Sequence, residues 1–429
     1  MKLVNLTLKR RDKIKLFLLC LISATLPFAV NLGNLAIILA VSFNVLFFQK
    51  ENIHKIKNFK AWYLIVFFII TVVSAFFSKN SALGFKHLDL TLLILLIAVV
   101  MINTNITKQV ISKVARVFYL SSVLSTLILL TYAIIKAISN NSIEGLTFHE
   151  FTRLYDQHPV YFSMYLSVAL FYVFFISSKE IRQVLKNKPL YIGSILILIS
   201  GLVLCASKAV LAFNFISFIV FFFFKVKSKK RKIGFILTFS VLAVLIYNIS
   251  FIKERFENGL RFNDNIASFQ PTNDFTKKKL FTYEEKTDIS DLELRYILGK
   301  INLYHTVKDK KVLFGYGQGD TKGYFNYYYF SYNLGPNWYE NFNVHNQYIH
   351  TFVMYGVFVL LFFVAYLFYS FKTAILKKDQ LHFYFLLLIC FVFIFEVVLV
   401  RNKGIIFFYF FNSLFLFNTF NLENSNTRH

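Results

Sequence analysis

The chain has 429 residues, 57% of them hydrophobic and 16% charged, a charged share well below the ~25% of a soluble domain. Apolar runs close to the roughly 17 to 25 residues that cross a ~30 Å hydrocarbon layer recur along it and exclude an ordinary water-soluble core. The formal net charge of +25 does not mark a nucleic-acid partner, because the basic residues lie in short loops between apolar runs rather than in one patch with base-reading side chains.

In chain order the apolar runs fall near 16–30, 34–48, 61–77, 86–103, 116–137, 159–177, 189–206, 209–224, 234–250, 347–371, 381–399 and 404–420, which predicts about twelve spans. The first run follows a basic start but leads straight into the second, so it reads as a retained helix rather than a cleaved signal. Cys20, Cys205 and Cys390 all sit inside apolar runs without CxxC spacing, a pattern that supports neither a zinc site nor a disulfide framework.

Lys and Arg accumulate in every second loop, as they do on the cytoplasmic side of membrane proteins. Lys9, Arg10, Arg11, Lys13 and Lys15, then Lys50 to Lys60, then Lys108 to Arg116, then Lys179 to Lys188, the run Lys225 to Lys232, and Lys372 to Lys378 all fall on one side. That side is expected to be cytoplasmic and to hold both termini. The other side receives the loop 138–157 and a long segment from Phe251 to His345, which is too long for a turn and reads as a small folded cap. Within it, Leu294, Ile297, Leu298, Ile301 and Tyr304 recur at helical spacing between Asp291 and Asp309, predicting an amphipathic helix on the membrane or in the cap core. The expected fold is an all-α polytopic membrane protein: a membrane bundle over 1–250 with about nine spans, the external loop over 251–345, and about three spans over 346–429.

Few spans carry an ionisable residue near their middle, which leaves little for an ion path or proton relay across the bilayer. The polar chemistry collects outside. Arg153 and His158 lie in the short external loop, Lys208 in the tight turn between two spans, Arg295 in the long loop, and His345 with Asn346 at its end. At a helix start, the positive end of the macrodipole disfavours imidazolium, which predicts a neutral His345 able to take a proton as a general base. Asn346 is expected to cap that helix or to orient a sugar hydroxyl.

Simpler readings stand beside these. His350 follows His345 by five residues and misses the i, i+4 spacing of a helical zinc pair. Asp320 and Lys322 break both GxGxxG registers in the run Gly315, Gly317, Gly319, leaving a turn. The aromatic block Tyr324 to Tyr332 suits an interfacial belt as well as sugar stacking. Glu396, with Arg401 five residues on, reads as a paired charge or as a partner behind the site.

The segment Val344-His345-Asn346-Gln347-Tyr348-Ile349, continued by Met354-Tyr355-Gly356-Val357 and preceded by Arg295 and Leu313-Phe314-Gly315-Tyr316-Gly317-Gln318-Gly319, resembles the O-antigen ligase and polymerase superfamily. The resemblance is best from about Tyr191 onward; before that only the hydropathy matches. It implies transfer or polymerisation of oligosaccharide from an undecaprenyl diphosphate carrier to a lipid-A core, glycan or protein acceptor. The reaction would run on the periplasmic face of a bacterial inner membrane, in lipopolysaccharide or other polysaccharide biosynthesis, with neither nucleotide sugar nor metal as cofactor. The resemblance sets Arg295 and His345 at the catalytic positions and Lys208 at a substrate-binding one; Arg153, His158 and Asn346 are further substrate-binding candidates from their place on the external side. Lys208 stands where the family usually has an Arg after a Ser, and lacks the planar fork that suits a phosphate. A glycan or lipid transporter is the alternative class. It would place its essential polar groups at the bilayer midplane and show internal repeats, and neither is visible.

Overall fold

The computed structural model describes residues 7–141, 146–264, 268–274, 276–335 and 337–418. The two chain termini and the end of the last apolar run lie outside them. Among the described residues the regular structure is entirely helical, as lipid demands: with no water to satisfy free backbone groups, only helices or closed barrels cross it. The helices that matter here are α1 (Leu8–Thr25), α2 (Val30–Leu46), α3 (Phe59–Phe76), α4 (Leu88–Ile102), α5 (Lys108–Asn140), α6 (Pro159–Phe171, with a π-helical turn to Ile176), α7 (Lys188–Leu204), α8 (Lys208–Lys225), α9 (Lys229–Tyr247) and α10 (Ser250–Leu260). They continue as α11 (Asp291–Lys308), α12 (Thr321–Ser331), α13 (Gln347–Tyr355), α14 (Val357–Leu376), α15 (Gln380–Phe395) and α16 (Asn402–Leu416). By length and composition five of them, α3, α5, α6 with its turn, α8 and α14, can cross a membrane, or up to seven spans if each sharply bent pair counts as one.

Every apolar run overlaps a helix, but three boundaries differ. Helix α1 begins at Leu8 and α5 at Lys108, earlier than the apolar runs, because long basic side chains can continue a helix while their charged heads reach water. The run 347–371 is broken into α13 and α14 at Gly356, which takes φ +83°, and a Cβ there would collide with the Leu313 carbonyl. The break lets the segment before α12 pair with it: Tyr316 N–H donates to the Val353 carbonyl at 2.9 Å and Val357 N–H to the Val312 carbonyl at 2.8 Å.

Helices α6 and α16 are buried on all sides and form the centre of the bundle. Helix α2 turns Gly33, Ala36 and Ala40 inward and leaves Leu32, Leu35, Ile38 and Leu39 exposed, the small-residue packing face and apolar outer face of a lipid-bathed helix. Polar links tie the interior. Asn214 donates to Ser167 Oγ at 2.6 Å and accepts from Tyr384 OH at 2.8 Å, and Lys403 Nζ donates to the Leu26 carbonyl at 2.9 Å, just past the end of α1.

The cap has a core of its own, built from Phe281, Leu294, Ile297, Leu298, Ile301, Tyr329, Tyr332 and Val344. The predicted amphipathic helix is α11, and its apolar face enters this core. Tyr328, Tyr329 and Tyr332 are buried there too: Asn302 donates to Tyr329 OH at 2.9 Å, and His305 Nε2 lies 3.0 Å from Tyr332 OH. That half of the aromatic block is cap core rather than a sugar platform. The glycine run locks the cap to the bundle. Gly319 N–H donates to Ser78 Oγ at 3.0 Å, and the Asp320 carboxylate accepts from the N–H groups of Lys79 and Asn80 at 2.7 and 2.8 Å. A Cβ at Gly319 would collide with the Asn80 carbonyl.

Candidate functional site

The last carbonyls of an α-helix have no partner within it and carry the negative end of its dipole. At the end of α15 two such groups are taken up by side chains from elsewhere. Arg295 Nε donates to the Phe395 carbonyl at 3.0 Å, and Asn346 Nδ2 donates to the Ile394 carbonyl at 3.1 Å. Helices α11 and α13 are thereby drawn to the same point, where the chain leaves α15 and Glu396 begins the connecting segment. Gln347 holds that segment by accepting from Leu399 N–H at 2.8 Å.

Glu396 Oε2 lies 3.6 Å from His345 Nδ1, with both side chains largely buried. At that distance the contact is too long for a hydrogen bond. It turns Nδ1 to the carboxylate and makes Nε2 the nitrogen left for a substrate. Burial works to raise the Glu396 carboxyl, but His345, His158 and Arg295 outweigh it and bring the group down to about 2, so it is ionised throughout the physiological range. The sequence pairing of Glu396 with Arg401 is corrected here: among the described residues the close charge partner of Glu396 is His345. His345 itself adopts φ 49°, and its N–H donates to Asn343 Oδ1 at 2.8 Å. A left-handed backbone is uncommon for a side chain of this size, and such strain gathers at functional positions. The helix-start residue is in fact Asn346, whose Oδ1 accepts from Ile349 N–H at 3.0 Å. Both ends of its amide are therefore engaged, one in the cap and one on α15.

Helix α11 enters the site by its first turn. Ser290 and Glu293 form a reciprocal capping box, and Asp291 follows the cap, an order legible in the sequence as Ser-x-x-Glu. Arg295 Nη1 donates to the Asp291 carbonyl at 2.6 Å, while the Asp291 carboxylate pairs with Lys208. Burial works to raise the Asp291 carboxyl, and Lys208 outweighs it and lowers it. Lys208 Nζ also donates to the Arg255 carbonyl at 3.1 Å and passes over Gly259, where any side chain would collide with it. The narrow passage suits the slim ammonium stem better than a guanidinium fork, which gives a physical reason for lysine at this position.

Arg255, on α10, was not singled out from the sequence. Its guanidinium stacks 3.5 Å from the Phe148 ring and its Nε is buried without a hydrogen-bond partner. Burial lowers its affinity for the proton, and Asp291 restores part of it. No local pattern announces this residue, because only folding brings α10 against α11. His158 caps α6, accepting at Nδ1 from Val160 N–H at 3.3 Å, with its ring 4.9 Å from that of His149. Burial brings His158 down to about 4, despite the opposing pull of Glu396, so it is neutral at pH 7. Arg153 is placed differently: its exposed guanidinium contacts Glu150 at 3.2 Å, and Glu150 is shared with Lys136.

Beside the cluster a cleft of ≈ 400 Å³ opens between bundle and cap. Asn343, which holds His345, and Arg401 lie in its wall together with the apolar Leu90, Met354 and Phe363. It can admit a ligand that is part polar and part hydrocarbon.

Fold and site together define a multi-pass helical membrane protein that gathers cations, a carboxylate-held histidine and an amphipathic cleft beneath a folded cap. Residues 192–364 match the family model described as O-antigen ligase. The matched range contains Lys208, Arg255, Asp291, Arg295, His345 and Asn346, and leaves Arg153, His158 and Glu396 outside. No curated protein matches the chain.

Proposed function

We propose that the protein is a glycosyltransferase that moves or polymerises oligosaccharide from an undecaprenyl diphosphate carrier to an acceptor hydroxyl, on the periplasmic face of a bacterial inner membrane. The acceptor is a lipid-A core, a protein or another carrier-linked glycan. In this reading the shorter apolar helices also cross the bilayer, giving about twelve spans with both termini cytoplasmic. The observation that carries the proposal is the convergence of Arg295 and Asn346 on the end of α15, which brings guanidinium and imidazole to one carboxylate beside Lys208 and Arg255.

His345 Nε2 takes the proton of the acceptor hydroxyl as its oxygen attacks the anomeric carbon. The bond from that carbon to the diphosphate breaks with its electron pair on the diphosphate oxygen, and the configuration inverts. Glu396 faces Nδ1 of the ring and stabilises the imidazolium that forms. Arg295 and Lys208 stabilise the charge on the leaving diphosphate, a task for preorganised donors in a partly dry site, and the charge of Arg255 favours binding of the diphosphate beforehand. The carrier's hydrocarbon tail takes the apolar side of the cleft.

The test is transfer by the purified protein from an undecaprenyl-diphosphate-linked repeat to candidate acceptors, with His345→Ala and Arg295→Ala beside the wild type. Loss in both variants is expected. Undiminished transfer by both would remove the site assignment, and inhibition by EDTA reversed by added magnesium would contradict a metal-free mechanism.

A further inference from the structure

A second cavity lies at the other end of the molecule. Helix α5 has 33 residues and so runs about 50 Å. Its last turns approach the candidate site through Lys136 and Glu150, and its first turn opens on a cleft of ≈ 300 Å³ shared with the start of α1. Lys9, Lys13, Lys15 and Lys113 all line that cleft, against the single carboxylate of Asp12. Lys15 is buried, with Nζ donating to the Asn103 carbonyl at 2.5 Å. Lys9, Lys13 and Lys113 have no ion-pair partner among the described residues.

We propose that this cleft binds the phosphate of an anionic phospholipid headgroup. Four ammonium groups around a concave space, beside the first turn of α5, form an anion site rather than a scattered positive loop. The lipid source follows from the apolar surroundings. Leu16 lines the cleft, and Leu8 and Phe17 on the same helix are 65% and 63% exposed, so a ligand with acyl chains covers surface that free phosphate would leave bare. The site is separate from the proposed transferase chemistry and stands or falls without it.

The experiment uses the full-length protein in detergent micelles and in nanodiscs, titrated with phosphatidylglycerol, with phosphatidylcholine and with inorganic phosphate, and read by native mass spectrometry and by thermal shift. Wild type is expected to retain phosphatidylglycerol at least tenfold more tightly than phosphatidylcholine. The double variant Lys13→Ala with Lys113→Ala should lose at least tenfold of that affinity, since each cation near an anionic lipid surface contributes several-fold. Lys13→Arg with Lys113→Arg should keep it, as should Lys186→Ala with Lys188→Ala in another basic loop. Lys15 is left intact because it also holds the Asn103 carbonyl. If the double variant does not fold, Lys113→Gln alone should show a loss of at least threefold. Equal affinity of wild type for the two lipids, or unchanged binding in the alanine or glutamine variants, would overturn the proposal. Saturation by inorganic phosphate without lipid preference would overturn the lipid assignment.

Discussion

Replacing Arg295 separates its charge from its geometry. A guanidinium has five N–H donors; two of those on Arg295 are spent on the Phe395 and Asp291 carbonyls, at 3.0 and 2.6 Å, leaving 5 − 2 = 3 for a phosphate. Removing one preorganised donor of developing negative charge costs about 3 kcal/mol of transition-state stabilisation, or roughly 10²-fold in rate. Arg295→Ala should therefore transfer glycan about a hundredfold more slowly under single-turnover conditions with a fluorescent carrier-linked repeat. Arg295→Lys keeps the charge but cannot hold two carbonyls and a phosphate together, so it should fall in between, about tenfold down. The alanine variant also loses the bond to the Phe395 carbonyl that ties α11 to α15, worth about 1 kcal/mol, so melting is measured beside activity. A rate for Arg295→Ala within threefold of wild type, in a protein that still melts cooperatively, would refute the assignment.

Glu396→Gln should lower activity at least tenfold and reduce stability above the carboxyl's folded value. The carboxyl is brought down from an ordinary 4.5 to about 2, so its ionised form stabilises the fold. A depressed folded value means that the contribution is complete above the unfolded value and lost as pH falls through the folded one. The difference in melting between wild type and variant should shrink from pH 6 towards pH 2, and a pH-independent difference would contradict the reading. Arg255→Gln should raise the KM for the carrier-linked donor several-fold more than it lowers kcat, because its charge is in place before the reaction begins. A fall in kcat with KM unchanged would place its contribution in the transition state instead. Gly319→Ala should loosen the cap by about 1–3 kcal/mol through overpacking against Asn80, seen as faster limited proteolysis between residues 251 and 345. An unchanged cleavage rate would argue against the clamp.

Helix positions were legible because lipid imposes one rule on every crossing segment: an apolar run must be helical. The same rule hides what happens at the ends. It cannot see that α1 starts at Leu8, where basic side chains already follow helical geometry, nor that Gly356 breaks α13 from α14, since the reason lies in the backbone at Leu313. At the site, Arg295 and His345 were picked out as candidates from a motif, while Asp291 was passed over although a Ser-x-x-Glu cap begins just before it. Arg255 was not, because it meets Lys208 and Asp291 only after α10 folds against α11. Arg153 was overrated: an exposed polar loop offers a cation but does not say which way it faces, and Glu150 holds this one outward.

The charge balance of the cluster gives these placements a common sense. Lys208, Arg255, Arg295 and Arg401 bring four positive charges and Asp291 and Glu396 two negative ones, so with His158 neutral these groups sum to 4 − 2 = 2 positive charges. An esterified diphosphate carries about two negative charges, and partly buried charges persist only where they are paired. The carboxylates are needed in their turn. Without Asp291 and Glu396, four cations would crowd the ends of α11 and α15 with no ligand bound, and the imidazole would lose the partner that orients it. The two acidic groups thus hold the cluster together and, in the proposed reaction, leave the remaining guanidinium donors of Arg295 for a phosphate.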